Sequence, residues 1–181
     1  MGYTTYFDGE FEVTPPLNAA QINYLRAFSE TRRMKRNEAA TALRSDPLRD
    51  AVGLTVGVDG GYFVGAGGFR GQEGGVFDNG VRPDDIIDYN CPPKGQPGLW
   101  CQWIPSEDGT RIEWDDGEKF YDYVEWIEYL VEHFLEPWGC KINGFVRWSG
   151  EDGDDRGVIY AKDNMVEAVC DDITNRGPSW E

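Results

Sequence analysis

Asp115-Asp-Gly-Glu-Lys-Phe-Tyr-Asp-Tyr-Val-Glu-Trp-Ile-Glu-Tyr-Leu-Val-Glu-His-Phe-Leu-Glu-Pro-Trp138 is the stretch around which the fold is read. Phe120, Val124, Ile127, Val131, Phe134 and Leu135 recur at helical spacing and form one apolar stripe. Asp115 stands where a side chain accepts from the free amides of a first helical turn. Glu118, three residues on, completes a capping box. Pro137 lacks an amide hydrogen and disfavours helical geometry at Glu136, so a helix over 115–136 is predicted to stop there. The flank beside the stripe carries Glu118, Asp122, Glu125, Glu132 and Glu136, with Tyr129 among them and Glu128 close by. This flank reads either as a solvated face or as a recognition surface for a basic partner with Tyr129 as a contact residue.

The chain on either side of this helix reads as antiparallel sheet. Downstream, 140–148 is a strand, 151–157 an acidic turn, 158–162 the returning strand, 163–164 a second turn and 165–169 a last short strand; the tail from 171 is expected to fray. Upstream, 99–104 and 111–114 flank a turn closed by Gly109 and form a hairpin. At the N-terminus, 3–14 alternates as a half-buried strand and ends at Pro15-Pro16. Asn18 is then a helix cap, Gln21 its reciprocal partner, and Leu17 against Ile22 a hydrophobic staple. This first helix runs to about Arg33 and buries Ile22, Tyr24, Leu25 and Phe28. The order is strand, helix, insertion, two strands, helix, two or three strands. It predicts an α+β fold: one antiparallel sheet of about five strands with the two main helices packed on one face. The expectation is a single domain over 1–181, interrupted by a long Gly-rich insertion at 37–98.

Within that insertion, 46–53 looks like one or two helical turns ending at a glycine, and 60–65 like a short strand. Residues 84–90 form an acidic-aromatic knot, and 92–98 a rigid return to the core. Gly65, Gly67, Gly68, Gly71, Gly74, Gly75 and Gly80 suggest a loop that cradles a phosphate, but no nucleotide-binding pattern is complete. Gly65-Ala-Gly67 continues to Arg70 rather than glycine, and no glycine precedes Lys-Ser or Lys-Thr. Arg32, Arg33, Lys35 and Arg36 form the one dense basic cluster. They suit a helix C-terminus and pairing with the acidic helix of the same chain, or alternatively a small anion site.

With 33 acidic residues against 17 basic ones, the 181-residue chain carries a formal net charge of −16. That disfavours direct nucleic-acid binding, whose affinity comes mostly from Lys and Arg, and it disfavours anionic membrane surfaces. An apolar content of 40% with seven tryptophans is too high for a disordered acidic tail. Neither a signal peptide nor a membrane span is read, so a cytoplasmic location is expected. Cys91, Cys101, Cys140 and Cys170 lack Cys-x-x-Cys spacing and read as reduced thiols. His133 is the single histidine, which removes Ser-His-Asp, Cys-His and multi-histidine metal chemistry. Asp152-Gly-Asp154-Asp155-Arg156-Gly157 opens like a calcium loop. Arg156 then occupies a ligand position and strands flank the loop, so an acidic hairpin turn is the better reading. No metal, cofactor or catalytic set is assigned.

Several segments, taken together, resemble a family of uncharacterised bacterial and phage proteins. They are Met1-Gly2-Tyr3, Thr14-Pro-Pro-Leu17, Glu30-Thr-Arg-Arg-Met34-Lys-Arg36, Gly98-Leu-Trp-Cys-Gln-Trp103, Gly117-Glu-Lys-Phe-Tyr121, Asn143-Gly144, and Gly150-Glu-Asp with Asp155-Arg156. The resemblance implies a soluble cytosolic protein of phage or prophage origin and supplies no catalytic residues. The expected function is a non-enzymatic acidic interaction protein that acts on a host nucleic-acid-binding or defence protein, with Asp122, Glu125, Tyr129, Glu132 and Glu136 as its contacts. An inhibitor that copies the charge of DNA is one form of it. The alternative is a protein or enzyme that binds a nucleotide or sugar phosphate through Arg32, Arg33, Lys35, Arg36 and the Gly-rich loop.

Overall fold

The structure is a computed structural model, and it describes residues 2–65, 84–171 and 177–181. The glycines at 67, 68, 71, 74, 75 and 80, read as a phosphate-cradling loop, lie outside the described residues, as do 172–176 of the tail expected to fray. The chain forms two compact units, Met1–Leu17 with Gln102–Glu181, and Asn18–Cys101.

The first unit is built on a six-stranded antiparallel sheet, against about five strands expected. Its strands are β1 (Thr5–Thr14), β4 (Trp103–Pro105), β5 (Arg111–Trp114), β6 (Lys141–Gly150), β7 (Arg156–Lys162) and β8 (Met165–Cys170), in the order β4-β5-β1-β6-β7-β8. The alternation that marks β1 as a strand also fixes its register. Phe11 and Val13 face inward with Ile112 and Ile142 as cross-strand neighbours, so slipping by one residue would turn this apolar set out to water. Asp163 and Asn164 both take positive φ, 48° and 73°, between the paired Lys162 and Met165. That is the two-residue turn whose twist matches the strands it joins. Two glycines allow β1 and β6 to approach. Gly9 has φ +111° and a Cβ there would meet the Phe145 carbonyl oxygen at 2.6 Å; Gly144 has φ +124° and a Cβ there would meet the Glu10 carbonyl oxygen at 2.9 Å.

Helix α4 (Tyr123–Leu130) packs over the inner side of this sheet and continues as a wider π-helical turn, Val131–Leu135. It begins eight residues after Asp115, the cap expected from sequence. Asp116, Lys119 and Asp122 all adopt positive φ, so the chain cannot propagate a right-handed helix through 116–122. Asp115 instead accepts from the Gly117 amide at 2.8 Å, a local turn that competes with a helix start. Phe120, read as the first residue of the stripe, reaches the core from this irregular segment. There it meets Phe7, Trp103 and Tyr123 at ring separations of 5.4 to 6.2 Å, in the aromatic cluster between sheet and helix. The π turn is marked by the Glu136 amide donating to the Val131 carbonyl at 2.9 Å. In a regular helix the Pro137 ring would clash with the carbonyl four residues back, that of His133, and the turn widens at this residue. Gly139, with φ +75°, then ends the element: its amide donates to Glu136 and that of Cys140 to Leu135, which satisfies the last carbonyls.

The second unit contains α1 (Ala19–Glu30), β2 (Lys35–Arg36), α2 (Glu38–Thr41), α3 (Pro47–Ala51), a 3₁₀ turn (Val58–Gly60) and β3 (Ile86–Asp88). The capping box of α1 is complete, with Asn18 and Gln21 satisfying each other's amides. The helix ends at Glu30, three residues short of the expected Arg33. The turns predicted over 46–53 are α3, followed by Gly53 at φ +70°. The segment 60–65, read as a strand, is a turn that buries Phe63 and Val64. The knot at 84–90 becomes β3, paired antiparallel with β2.

Candidate functional site

The five acidic residues of the α4 segment line one exposed flank. Asp122 is the residue before the helix, Glu125 and Glu128 lie in α4, Glu132 in the π turn, and Glu136 just after it, all exposed. The 3- and 4-residue spacing that aligned Asp122, Glu125, Glu132 and Glu136 in the sequence survives the change of helix type. Among the described residues, no ion pair involves any of the five. Restricted solvation on this flank, and then the neighbouring Glu125 charge, raise the carboxyl pKa of Asp122 and of Glu128 above the ordinary value. His133, next to Glu132, supplies no compensating cation at neutral pH. Its partial burial lowers the imidazole pKa below 6.5, outweighing the Glu132 carboxylate that acts to raise it.

Tyr129 requires a correction. It was expected to contact a partner, but it is only 7% exposed. Its ring stacks on His133 at 4.0 Å and meets Trp126 and Phe134 edge-on. The helix is buried around more of its circumference than the six-residue stripe implied, because Trp126, Tyr129 and Leu130 also turn inward.

The basic cluster is also corrected: its arginines are internal structure. Arg33 and Arg36 are each 1% exposed. The Arg33 guanidinium lies 4.3 Å over the Phe28 ring and donates to the carbonyls of Gly61 and Phe63. Arg36 donates to Asp85 at 2.7 Å and sits 4.3 Å over Phe63. Arg44 and Thr41 share the same carboxylate. Burial acts to raise the pKa of Asp85, but the Arg36 hydrogen bond and the two guanidinium charges outweigh it and hold the carboxyl below its usual range. Arg32 spends its donors on Tyr89 and Asn90. Lys35 is half-buried on β2 opposite Asp88. The hydrogen-bond partners of these arginines lie 28 to 58 residues away in sequence, not on the acidic helix expected to pair with them.

The turn that opens like a calcium loop is an acidic hairpin turn. Asp155 accepts from the Tyr3 hydroxyl at 2.7 Å and the Trp148 indole at 3.1 Å, so its carboxylate is already engaged. No cluster of three or more candidate metal ligands occurs among the described residues. No helix among them is long and apolar enough to cross a membrane.

The sequence reading missed the outer face of the first unit's sheet, although the alternation of β1 and β7 pointed to it. Across β1, β6, β7 and β8 it presents three rows: Tyr6-Ser149-Arg156-Asp171, Asp8-Arg147-Val158-Val169 and Glu10-Phe145-Tyr160-Glu167. A groove of about 490 Å³ lies on this face.

No family model matches the chain, and no curated protein or solved structure matches it significantly.

Proposed function

We propose that this chain is a non-enzymatic interaction protein whose working surface is the acidic flank of α4. It engages a basic protein partner through Asp122, Glu125, Glu128, Glu132 and Glu136. The observation that carries this reading is the row of five exposed carboxylates without an ion pair. Successive members of the row stand three or four residues apart, and each such like-charge contact costs a helix a few tenths of a kcal/mol. The four contacts together cost about 1–2 kcal/mol, which a cationic surface laid against the flank would relieve.

The partner class that fits is the phosphate-binding face of a nucleic-acid-binding protein. At about 1.5 Å per residue the row runs about 20 Å, over which one strand of duplex DNA carries about six phosphates. Five carboxylates approximate that density. The resemblance to bacterial and phage proteins suits an inhibitor of a host nucleic-acid-binding or defence protein. Nothing favours the nucleotide or sugar-phosphate alternative at Arg32, Arg33, Lys35 and Arg36, since two of these are sealed inside the second unit.

The test is capture from a bacterial extract on immobilised protein, wild type beside Glu125→Lys/Glu132→Lys/Glu136→Lys. Wild type should retain a DNA-binding protein that added duplex DNA displaces, and the triple variant should not. Equal retention by the variant, or a complex indifferent to DNA, refutes the reading.

A further inference from the structure

The outer face of the six-stranded sheet carries chemistry that the acidic flank does not use. Helix α4 contacts the inner face, where Tyr123 meets Phe7 and Trp148 at 4.8 and 6.0 Å; on the outer face, among the described residues, Ser179 of the C-terminal segment donates its amide and hydroxyl to Glu167 at the β8 end of the third row. Two large aromatic side chains stand out into solvent here, Tyr6 at 59% and Phe145 at 44% exposure. Tyr160, cross-strand from Phe145, has its ring 6.3 Å away. At the centre of the rows is Arg147, exposed, with its guanidinium 4.9 Å over the Phe145 ring. Among the described residues Arg147 has no ion pair and its guanidinium makes no hydrogen bond. The second guanidinium of the groove is already matched, since Arg156 faces Asp171 at 3.5 Å. The groove therefore offers one cation unmatched by an ion pair among the described residues, beside the half-buried Val158 and Tyr160 side chains.

We propose that this groove binds a small aromatic carboxylate, with its carboxylate on Arg147 and its ring over Val158 and Tyr160. Each part of that assignment follows from what surrounds the groove. A guanidinium presents a planar fork of N–H donors that matches a carboxylate with two parallel bonds. Beside Arg147 the lining sets the apolar and ring surface of Val158 and Tyr160 among the hydroxyls of Tyr6, Ser149 and Tyr160, and that ring surface is what fits an aromatic body. Asp8 faces Arg147 across the strand pair, and Glu10, Glu167 and Asp171 border the same face. Their charge opposes a dianion and opposes a nucleic-acid strand still more, so one negative charge is the complement. The groove volume lies within the range of about 300–1,000 Å³ found for small-molecule sites. The sequence suggested a small-anion site, but at arginines that turn out to be buried. This site is independent of α4 and stands or falls separately from the partner-binding reading.

The test is a ¹H–¹⁵N NMR titration of the full chain, following backbone amides and the arginine Nε–H, with calorimetry for affinity. The probes are 2-naphthoate, acetate as a charge without a ring, 2-naphthol as a ring without a charge, 2-naphthyl phosphate as the dianion, and an eight-nucleotide oligothymidylate. 2-Naphthoate should shift the Arg147 Nε–H and the Ser149 and Val158 amides saturably. It should bind at least tenfold tighter than acetate, 2-naphthol or the phosphate. Arg147→Gln, at an exposed position, should weaken it at least tenfold. Arg147→Lys, which keeps the charge but loses the fork, should fall between. The triple Lys variant of α4 should bind 2-naphthoate as wild type does. Acetate binding as tightly as 2-naphthoate, an unchanged affinity in Arg147→Gln, or shifts that map elsewhere would overturn the proposal. Tighter binding of the oligonucleotide on this face would overturn it in favour of a single-strand platform.

Discussion

Asp85 shows how much of the second unit rests on single charges. Its carboxylate is enclosed with the fully buried Arg36 and also receives Thr41 and Arg44. Removing one partner from such a pair strands a buried charge, which costs about 3–5 kcal/mol. Asp85→Asn should therefore lower the urea midpoint sharply, by about 3 kcal/mol in stability. The pH dependence has a definite sign. The folded pKa of Asp85 lies below the ordinary carboxyl value of 3.8. Its contribution is complete above pH 3.8 and is lost as the pH falls through the depressed folded value. The stability gap between wild type and Asp85→Asn should close in that acid window and stay constant near neutrality, as read from urea curves across pH. Tyr123 works from the other end of the scale in the first unit. Burial, and then the Asp155 charge, push its hydroxyl up to about 12. In the unfolded chain the hydroxyl ionises near the ordinary tyrosine value of 10.0 and in the folded one later, so Tyr123 costs the first unit stability between pH 10 and pH 12. Tyr123→Phe should remove part of the alkaline loss, measured as the shift in pH midpoint of unfolding by near-ultraviolet circular dichroism.

At the scale of elements, sequence pattern was informative where partners are close along the chain. Asn18 and Gln21 specified the start of α1, and Asp163-Asn164 the last hairpin, because each device closes within four residues. It misled where distant contacts overrode local preference. A capping box at Asp115 and Glu118 was legible, but the buried Phe120 is delivered to the aromatic cluster by a run of positive-φ residues that no helix can contain. Likewise, cations just past α1 suggest a solvated helix end until the carbonyls of Gly61 and Phe63 are seen to meet Arg33. The exposed carboxylates were legible because spacing alone decides which flank they share. Their mutual repulsion has a measurable consequence. Glu128→Lys turns two like-charge contacts, to Glu125 and Glu132, into attractive ones, each contact being worth about 0.2–0.5 kcal/mol. The variant should be more stable by about 1 kcal/mol at low salt, with the gain shrinking as salt is added. No gain in its thermal midpoint would mean that the flank carries no stored repulsion. Between β1 and β6 the constraint is steric. Gly144→Ala forces a Cβ against the Glu10 carbonyl at a φ of +124°, and should cost more than about 1 kcal/mol in the same urea assay.

For the whole molecule, a net charge of −16 both limits and directs association. It disfavours polyanions and anionic lipid as ligands, and under the proposed function it would steer cationic proteins toward the α4 flank at rates and affinities that depend on ionic strength. The antiparallel α+β character was legible from the order of the elements. The last strand, expected over 165–169, is β8 (Met165–Cys170), which pairs with β7 through the Asp163-Asn164 turn. The account stands on carboxylates that remain in water with no cation of their own. Its most direct test is the dissociation constant of the captured basic partner, measured by calorimetry between about 50 and 200 mM NaCl for wild type and for Glu125→Lys/Glu132→Lys/Glu136→Lys. The account predicts affinity for wild type that weakens at least tenfold across that range, and at least a hundredfold loss in the variant at the lower salt. A salt-independent constant, or one that the three reversals leave unchanged, would contradict it.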